Sequence, residues 1–217
     1  MSLVIVGISA SRAIRPLWAA CELGLAFEHR PTPYQGGATR TPEFLAMNPN
    51  GHIPVLIDQR DAAAPVTVWE SMACALYLAR RWARCDGSDI GPASAGEEAE
   101  ALRWAFWVVS EVEADALTVL MHRRAMPEDR RRPELAEAAE KRLVLPLQVL
   151  QQHLQAQQAK GQAHLAAARF TVADLVVASV LMWLKAGRFS LAPWPLVGPW
   201  LDACLARPAY AQAKALP

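Results

Sequence analysis

The rhythm of apolar and polar positions changes once along the chain and divides it in two. Leu3 to Val6 is a short apolar run closed by Gly7, the pattern of a buried strand. Ile14, Leu17, Trp18 and Cys21 then recur at helical spacing, and Gly24 supplies a stop. Phe27 to Thr32 forms a second strand candidate, closed by Pro31 and Pro33. Thr41-Pro42-Glu43 opens a short helix with a hydroxyl cap, a proline at the first position and an acid in the first turn; Asn48-Pro49 ends it. Val55 to Asp58 and Val66 to Trp69 flank a polar, alanine-rich turn and read as a hairpin. Ser71 can cap a helix that continues to about Trp82. The order is βαβ, a short helix, then ββα, over residues 1–82.

Residues 83–95, with "ARCDGSDIGPAS" at their centre, are rich in Gly, Ser, Pro and Asp and read as a linker. Residues 96–217 carry only helical periodicity. Leu102, Phe106, Val109 and Val112 to Leu120 give one long amphipathic helix. A second runs from about Pro133 to Gln158, with Leu135, Leu143, Leu147, Leu150 and Leu154 inward and a bend expected at Pro146. Thr171 followed by Asp174 is a capping signature. Leu175 to Leu184 behind it is apolar on nearly all sides, which predicts a buried central helix. Short helices around Val197–Cys204 and Ala209–Lys214 complete the pattern.

Composition narrows the function. At 217 residues and 53% hydrophobic, the chain can build a substantial core. Its 22 Lys and Arg against 21 Asp and Glu leave no electrostatic footprint for nucleic acid or an acidic membrane. The opening MSLVIVGISA lacks a basic residue before its apolar run, and no stretch approaches the ~20 apolar residues that span a bilayer. Cys21, Cys74, Cys85 and Cys204 are scattered without a CxxC pair, which reads as reduced thiols and a cytoplasmic protein. The five histidines form no metal-binding spacing, so no metal is expected, and no phosphate-cradling glycine loop is present.

One proline resists the strand pattern. Pro54 stands between Ile53 and Val55, where β pairing should begin. Proline has no N–H for the ladder and is tolerated only at edges, starts or bulges. A trans turn proline and a cis proline both fit the bare sequence. Four further stretches fall into place around it. "TPEFLAMNPNGHIPVLID", "WESMACALYLARRW", "FTVADL" and "WLDACLARPAYAQA", together with "SRAIRPLWAACELGLAFE" near the start, resemble in order the soluble glutathione transferases, and among them the bacterial, serine-type members. The likeness spans essentially the whole chain. It implies an α/β thioredoxin-like N-terminal domain (βαβ-α-ββα, a four-stranded mixed sheet), followed by an all-α C-terminal domain.

The resemblance also implies roles. Glutathione would be the co-substrate, a small and mostly apolar electrophile lodged between the domains the second substrate, and a homodimer the working form. Pro54 would be cis and would turn the Ile53 backbone outward to pair with the cysteinyl backbone of glutathione. Glu70 and Ser71, at a helix start, suit the ammonium and carboxylate of the γ-glutamyl group, although a plain serine cap beside a solvated glutamate has the same sequence. His52 would face the glycyl carboxylate, with Arg40 as a possible assistant; an exposed loop histidine is the competing reading. Ser11, four residues before Arg15, would stabilise the thiolate, with Ser9 as the fallback. A thiol titrates near ~8.5, and lowering that by two units takes roughly 2.7 kcal/mol of preference for thiolate. A hydroxyl donor and N–H groups at a helix start can supply it. Capping of the first helix by Ser11 is compatible with this, but Pro16 fits awkwardly inside a helix starting there. No tyrosine precedes Tyr34, and Cys21 lies too far along to replace Ser11. Arg123, Arg124, Arg130, Arg131 and Arg132, interleaved with Glu128, Asp129 and Glu134, read as a solvated turn between helices; Trp104 and Trp107 read as core.

Overall fold

A computed structural model describes residues 3–61, 63–84 and 89–217, so Cys85 and the middle of the linker candidate lie outside the described residues. The chain forms two compact units. One comprises Met1–Ala93 with Arg207–Pro217, the other Ser94–Ala206. The sequence pattern alone grouped Arg207–Pro217 with the helical half. In the structure that segment joins the sheet-containing unit, where α9 (Pro208–Ala215) packs on α1 (Ile14–Glu22).

The first unit is a four-stranded mixed sheet in the order β2-β1-β3-β4, the thioredoxin-like arrangement. β1 (Leu3–Val6) runs parallel to β2 (Glu28–Arg30) and antiparallel to β3 (Val55–Asp58), which pairs antiparallel with β4 (Val66–Trp69). The unbroken apolar run of β1 is what a central strand covered on both faces requires, and all four residues are buried. β2 is shorter than the pattern suggests because Pro31 cannot extend the ladder. α2 (Pro42–Met47) begins as expected, with the Thr41 hydroxyl accepting from the Phe44 amide at 3.2 Å. α3 (Ser71–Arg81) follows β4 and packs against α1.

The second unit is entirely helical among the described residues. Its first helix spans Ala95 to Ala125, beyond both ends of the Leu102–Leu120 pattern, and it is not uniform. Standard turns in α4 (Ala95–Trp107) and α5 (Ala114–Leu120) alternate with wider π turns over Val108–Glu113 and Met121–Ala125. α6 (Pro133–Gln158) continues as one helix through the buried Pro146. α7 (Val172–Ala186) is the buried centre, followed by α8 (Val197–Leu205).

Asp174 organises this unit. Its carboxylate is fully buried and accepts from the Thr171 amide at 2.9 Å and the Thr171 hydroxyl at 3.2 Å. The other oxygen accepts from the Leu165 amide at 2.9 Å and the Trp200 indole at 3.1 Å. A buried carboxylate is tolerated only when satisfied this fully. The capping box therefore also fastens the 164–170 loop and α8 to the start of α7. Removing the carboxylate strands several buried donors, each worth about 1–3 kcal/mol. Asp174→Ala is expected to lower the unfolding free energy by about 3 kcal/mol or more, read by urea unfolding of the intact chain. A loss below about 1 kcal/mol would put Asp174 among ordinary positions.

Candidate functional site

The register of the sheet sets the site. Val6 pairs with Val55, so the loop leaving β1 and the loop entering β3 emerge at one end of the sheet. They touch through Gly7, which has φ +134°. A Cβ there would lie 2.9 Å from the Ala13 Cβ and 3.2 Å from the Ile53 Cβ. Only glycine lets the two loops approach this closely. The Ile53–Pro54 bond is cis and Pro54 is buried.

Asn48 holds the segment before it. This side chain is 1% exposed; its Nδ2 donates to the His52 carbonyl at 2.7 Å and its Oδ1 accepts from the Asn50 amide at 3.0 Å. Arg40 closes the loop from outside, donating to the Asn50 carbonyl at 3.2 Å. Thus Arg40 supports the loop backbone, and His52 is exposed with its carbonyl, not its ring, secured. The Ile53 amide and carbonyl engage no hydrogen bond among the described residues.

Glu70 and Ser71 stand at the junction of β4 and α3. Glu70 has φ +70°, the left-handed region that costs a non-glycine residue of order 1–3 kcal/mol. Its side chain is exposed, and it occupies the N-cap position without capping. Ser71 is therefore not the cap that the sequence suggests but the first helical residue. The hydroxyl of Ser71, 4% exposed, accepts from Arg15 Nη1 at 2.7 Å. With no side-chain cap and no acid in the first turn, the opening amides of α3 keep their positive end of the helix dipole. Arg15, 1% exposed, thereby ties the start of α1 to the start of α3. The sequence singled out Arg15 only as a spacing marker. A charged residue among apolar positions of a helix was the available signal.

The two serines of the first loop differ in their surroundings. Ser11 lies in a turn, donating to the Ile8 carbonyl at 2.7 Å and accepting from the Ala13 amide at 3.1 Å. α1 begins later, at Ile14, so Ser11 is not its cap. Pro16 then falls on the third helical residue, whose N–H would have no helical acceptor, and the awkwardness vanishes. Ser9 faces the other way: its hydroxyl donates to the Leu216 carbonyl at 2.6 Å and its amide to Pro217 at 2.9 Å. The α9 segment that brings these carbonyls is held by Arg207, which clasps the Glu22 carboxylate at 2.6 and 2.8 Å, and by Tyr210 against Trp18. Contacts across so long a stretch of sequence leave no local signal.

Cys74 is the thiol nearest Glu70 in sequence. Burial, and then the charge of Glu70, push it up to about 12, which leaves it inert as a nucleophile. Cys21, Cys74 and Cys204 are free thiols. Among the described residues no group of His, Cys, Asp and Glu is arranged to hold a metal ion, and no helix is long and apolar enough to cross a membrane. The close approach at Gly7 gives a direct test of the loop geometry. Gly7→Ala is expected to cost about 1–3 kcal/mol of stability, since Ala13 and Ile53 must both yield. Thermal unfolding of the two proteins measures it.

Two family models match the chain. The N-terminal domain of glutathione S-transferase covers residues 11–81, and the C-terminal domain of glutathione S-transferase covers residues 111–208. Glutathione S-transferase 3 of Zea mays is 32% identical over 205 residues, which are 89% of this chain and 84% of that protein. The structure of glutathione S-transferase III in its apo form superposes with a TM-score of 0.81 at 29% identity, covering 100% of this chain and 98% of that one. Ure2p in complex with glutathione has the same fold, with a TM-score of 0.83 at 18% identity over 98% of this chain and 93% of that one. Sequence and structure agree from one unit to the other, and the chain belongs to the glutathione S-transferase family.

Proposed function

We propose that this protein is a glutathione transferase of the serine type. It binds glutathione on the sheet-containing unit, stabilises the thiolate near Ser11 and conjugates it to a small, mostly apolar electrophile. The observation that carries the reading is the adjacency, set by the pairing of Val55 with Trp69, of two unsatisfied surfaces: the Ile53 backbone, without an internal hydrogen bond, and the uncapped start of α3 beside the exposed Glu70. A γ-glutamyl peptide complements both. Its cysteinyl backbone pairs with Ile53 as a short added strand. Its carboxylate meets the α3 amides beside Ser71, and its ammonium meets Glu70. His52, exposed in the loop, is within the same segment for the glycyl carboxylate. Pro54 and the Asn48 hub fix that segment before ligand arrives.

Activation of the thiol is electrostatic in this reading. The Ser11 hydroxyl rotates from the Ile8 carbonyl to donate to sulfur, exchanging one acceptor for a charged one. Ser9 is the weaker candidate because both its groups are engaged by Leu216 and Pro217. No covalent enzyme intermediate is required. The proposed working form is a homodimer in the cytoplasm; the dimer is supported by exposed apolar side chains on α4 (Leu102, Phe106) and on the edge strand β4 (Val66, Trp69). A second reading, glutathione binding without transferase turnover, draws on the same hydroxyl, since Ser11 already donates to Ile8.

Calorimetric titration should show saturable glutathione binding that weakens about tenfold or more in Glu70→Ala, as expected for loss of a charge-assisted bond. No binding at millimolar glutathione would defeat both readings. Ser11→Ala should lower turnover of an aryl halide about tenfold more than it lowers glutathione affinity. If Ser9→Ala alone produces that split, Ser9 is the activating residue. Normal binding with no turnover of any electrophile supports the second reading.

A further inference from the structure

Gly7 is where the chain leaves the sheet. Its amide stays on the ladder and donates to the Arg30 carbonyl at 2.9 Å. Its carbonyl is treated differently. The backbone has turned out of the strand, at φ +134°, and among the described residues no backbone N–H donates to that oxygen. Gly7 is buried, so the carbonyl needs an internal donor. β2 supplies one from a side chain. The half-buried His29 ring places Nε2 at 2.7 Å from the Gly7 oxygen. A carbonyl only accepts, so Nε2 carries the hydrogen and donates it. His29 stands opposite Ile5 in the parallel register, and its ring extends along the ladder to the point where backbone pairing stops.

That bond reaches Ser11 through the peptide planes between them. A peptide unit is rigid, so fixing the Gly7 carbonyl fixes the direction in which the chain enters Ile8. The next plane joins the Ile8 carbonyl to the Ser9 amide, which donates to Pro217 at 2.9 Å. The Ile8 carbonyl in turn accepts from the Ser11 amide at 3.1 Å and from the Ser11 hydroxyl at 2.7 Å. Glycine does not hold the first plane by itself, because without a Cβ its dihedrals are the freest available. A bulkier residue is barred there by Ala13 and Ile53. The restraint on Gly7 therefore comes from outside the loop, and His29 is the side chain that gives it. Ring and oxygen lie 22 positions apart in sequence, so no local pattern points to the pair.

We infer that His29 is a positioning residue for the thiol-stabilising loop: through the Gly7 carbonyl it holds the backbone that presents the Ser11 hydroxyl. The inference rests on the transferase reading and adds to it a residue that acts through backbone rather than on sulfur. The neutral Nε2–H ring and the imidazolium both donate, so the anchor does not depend on the charge of the ring. What the place requires is a donor of the right reach. Glutamine carries an uncharged N–H donor of similar reach; leucine fills similar space without one.

Two readouts on the intact chain test this: the titration midpoint of bound glutathione, followed by thiolate absorbance, and the calorimetric affinity for S-methylglutathione, which has no thiol to ionise. His29→Leu should raise the midpoint by about one pH unit, a roughly tenfold loss of thiolate preference, and leave S-methylglutathione affinity within about twofold. His29→Gln should keep the midpoint of the unaltered protein. In a Ser11→Ala background His29→Leu should add no further shift, because the two residues act on one hydroxyl. An unmoved midpoint in His29→Leu, a glutamine variant as impaired as the leucine one, or shifts that add in the double variant would overturn the inference and leave the transferase reading standing. So would a His29→Leu chain that no longer binds S-methylglutathione, which would make the histidine a support of the sheet alone. An unaltered protein that binds glutathione without lowering its midpoint would overturn the reading and the inference together.

Discussion

A buried guanidinium sets the geometry on which the first unit's site depends. Arg15 is 1% exposed and donates to the Ser71 hydroxyl at 2.7 Å. A charge so removed from water is stable only with hydrogen-bond partners in fixed places. The bond therefore fixes the first turn of α1 relative to the first turn of α3. Everything proposed to touch glutathione lies close in sequence to one of those turns or to the Gly7 contact. Ser11 precedes Arg15 in the loop entering α1, Glu70 adjoins Ser71, and Ile53 leans on Gly7. The Ser71 hydroxyl accepts from Arg15, so the open end of α3 is not closed by its own side chain.

Elements governed by short-range chemistry were legible in the sequence. The four strands, the Thr41 cap of α2 and the Thr171–Asp174 box follow from neighbouring residues, and the structure carries each of them. Errors of detail arose where a distant partner decides. Ser71 has the sequence of a cap, but a guanidinium from α1 claims its hydroxyl. Ser11 also looks like a cap, yet the helix waits until Ile14, and Pro16 then costs nothing. The tail Arg207–Pro217 reads as one more short helix of the helical half; its ion pair with Glu22 and its carbonyls at Ser9 place it in the other unit. The π turns after Trp107 and Leu120 leave no mark on a simple apolar period.

Each unit buries a charged side chain near the start of a helix, and the two are of opposite sign. In the helical unit a carboxylate, Asp174, gathers amide, hydroxyl and indole donors from three segments and secures them. In the sheet unit a cation, Arg15, reaches one hydroxyl at the mouth of a helix. Strain appears at Glu70 and Arg188, the two non-glycine residues with positive φ among those described. Both follow or precede a helix end and carry a charged, exposed side chain. Backbone strain held in place by surrounding structure is a mark of sites that do something other than fold.

The central claim is that the first unit holds glutathione as its thiolate. The ultraviolet absorbance of the thiolate, followed while pH is raised in the protein–glutathione complex, tests it most directly. A midpoint well below the ~8.5 of a free thiol is expected, moving back toward that value in Ser11→Ala. A bound thiol that titrates like free glutathione in the unaltered protein would contradict it.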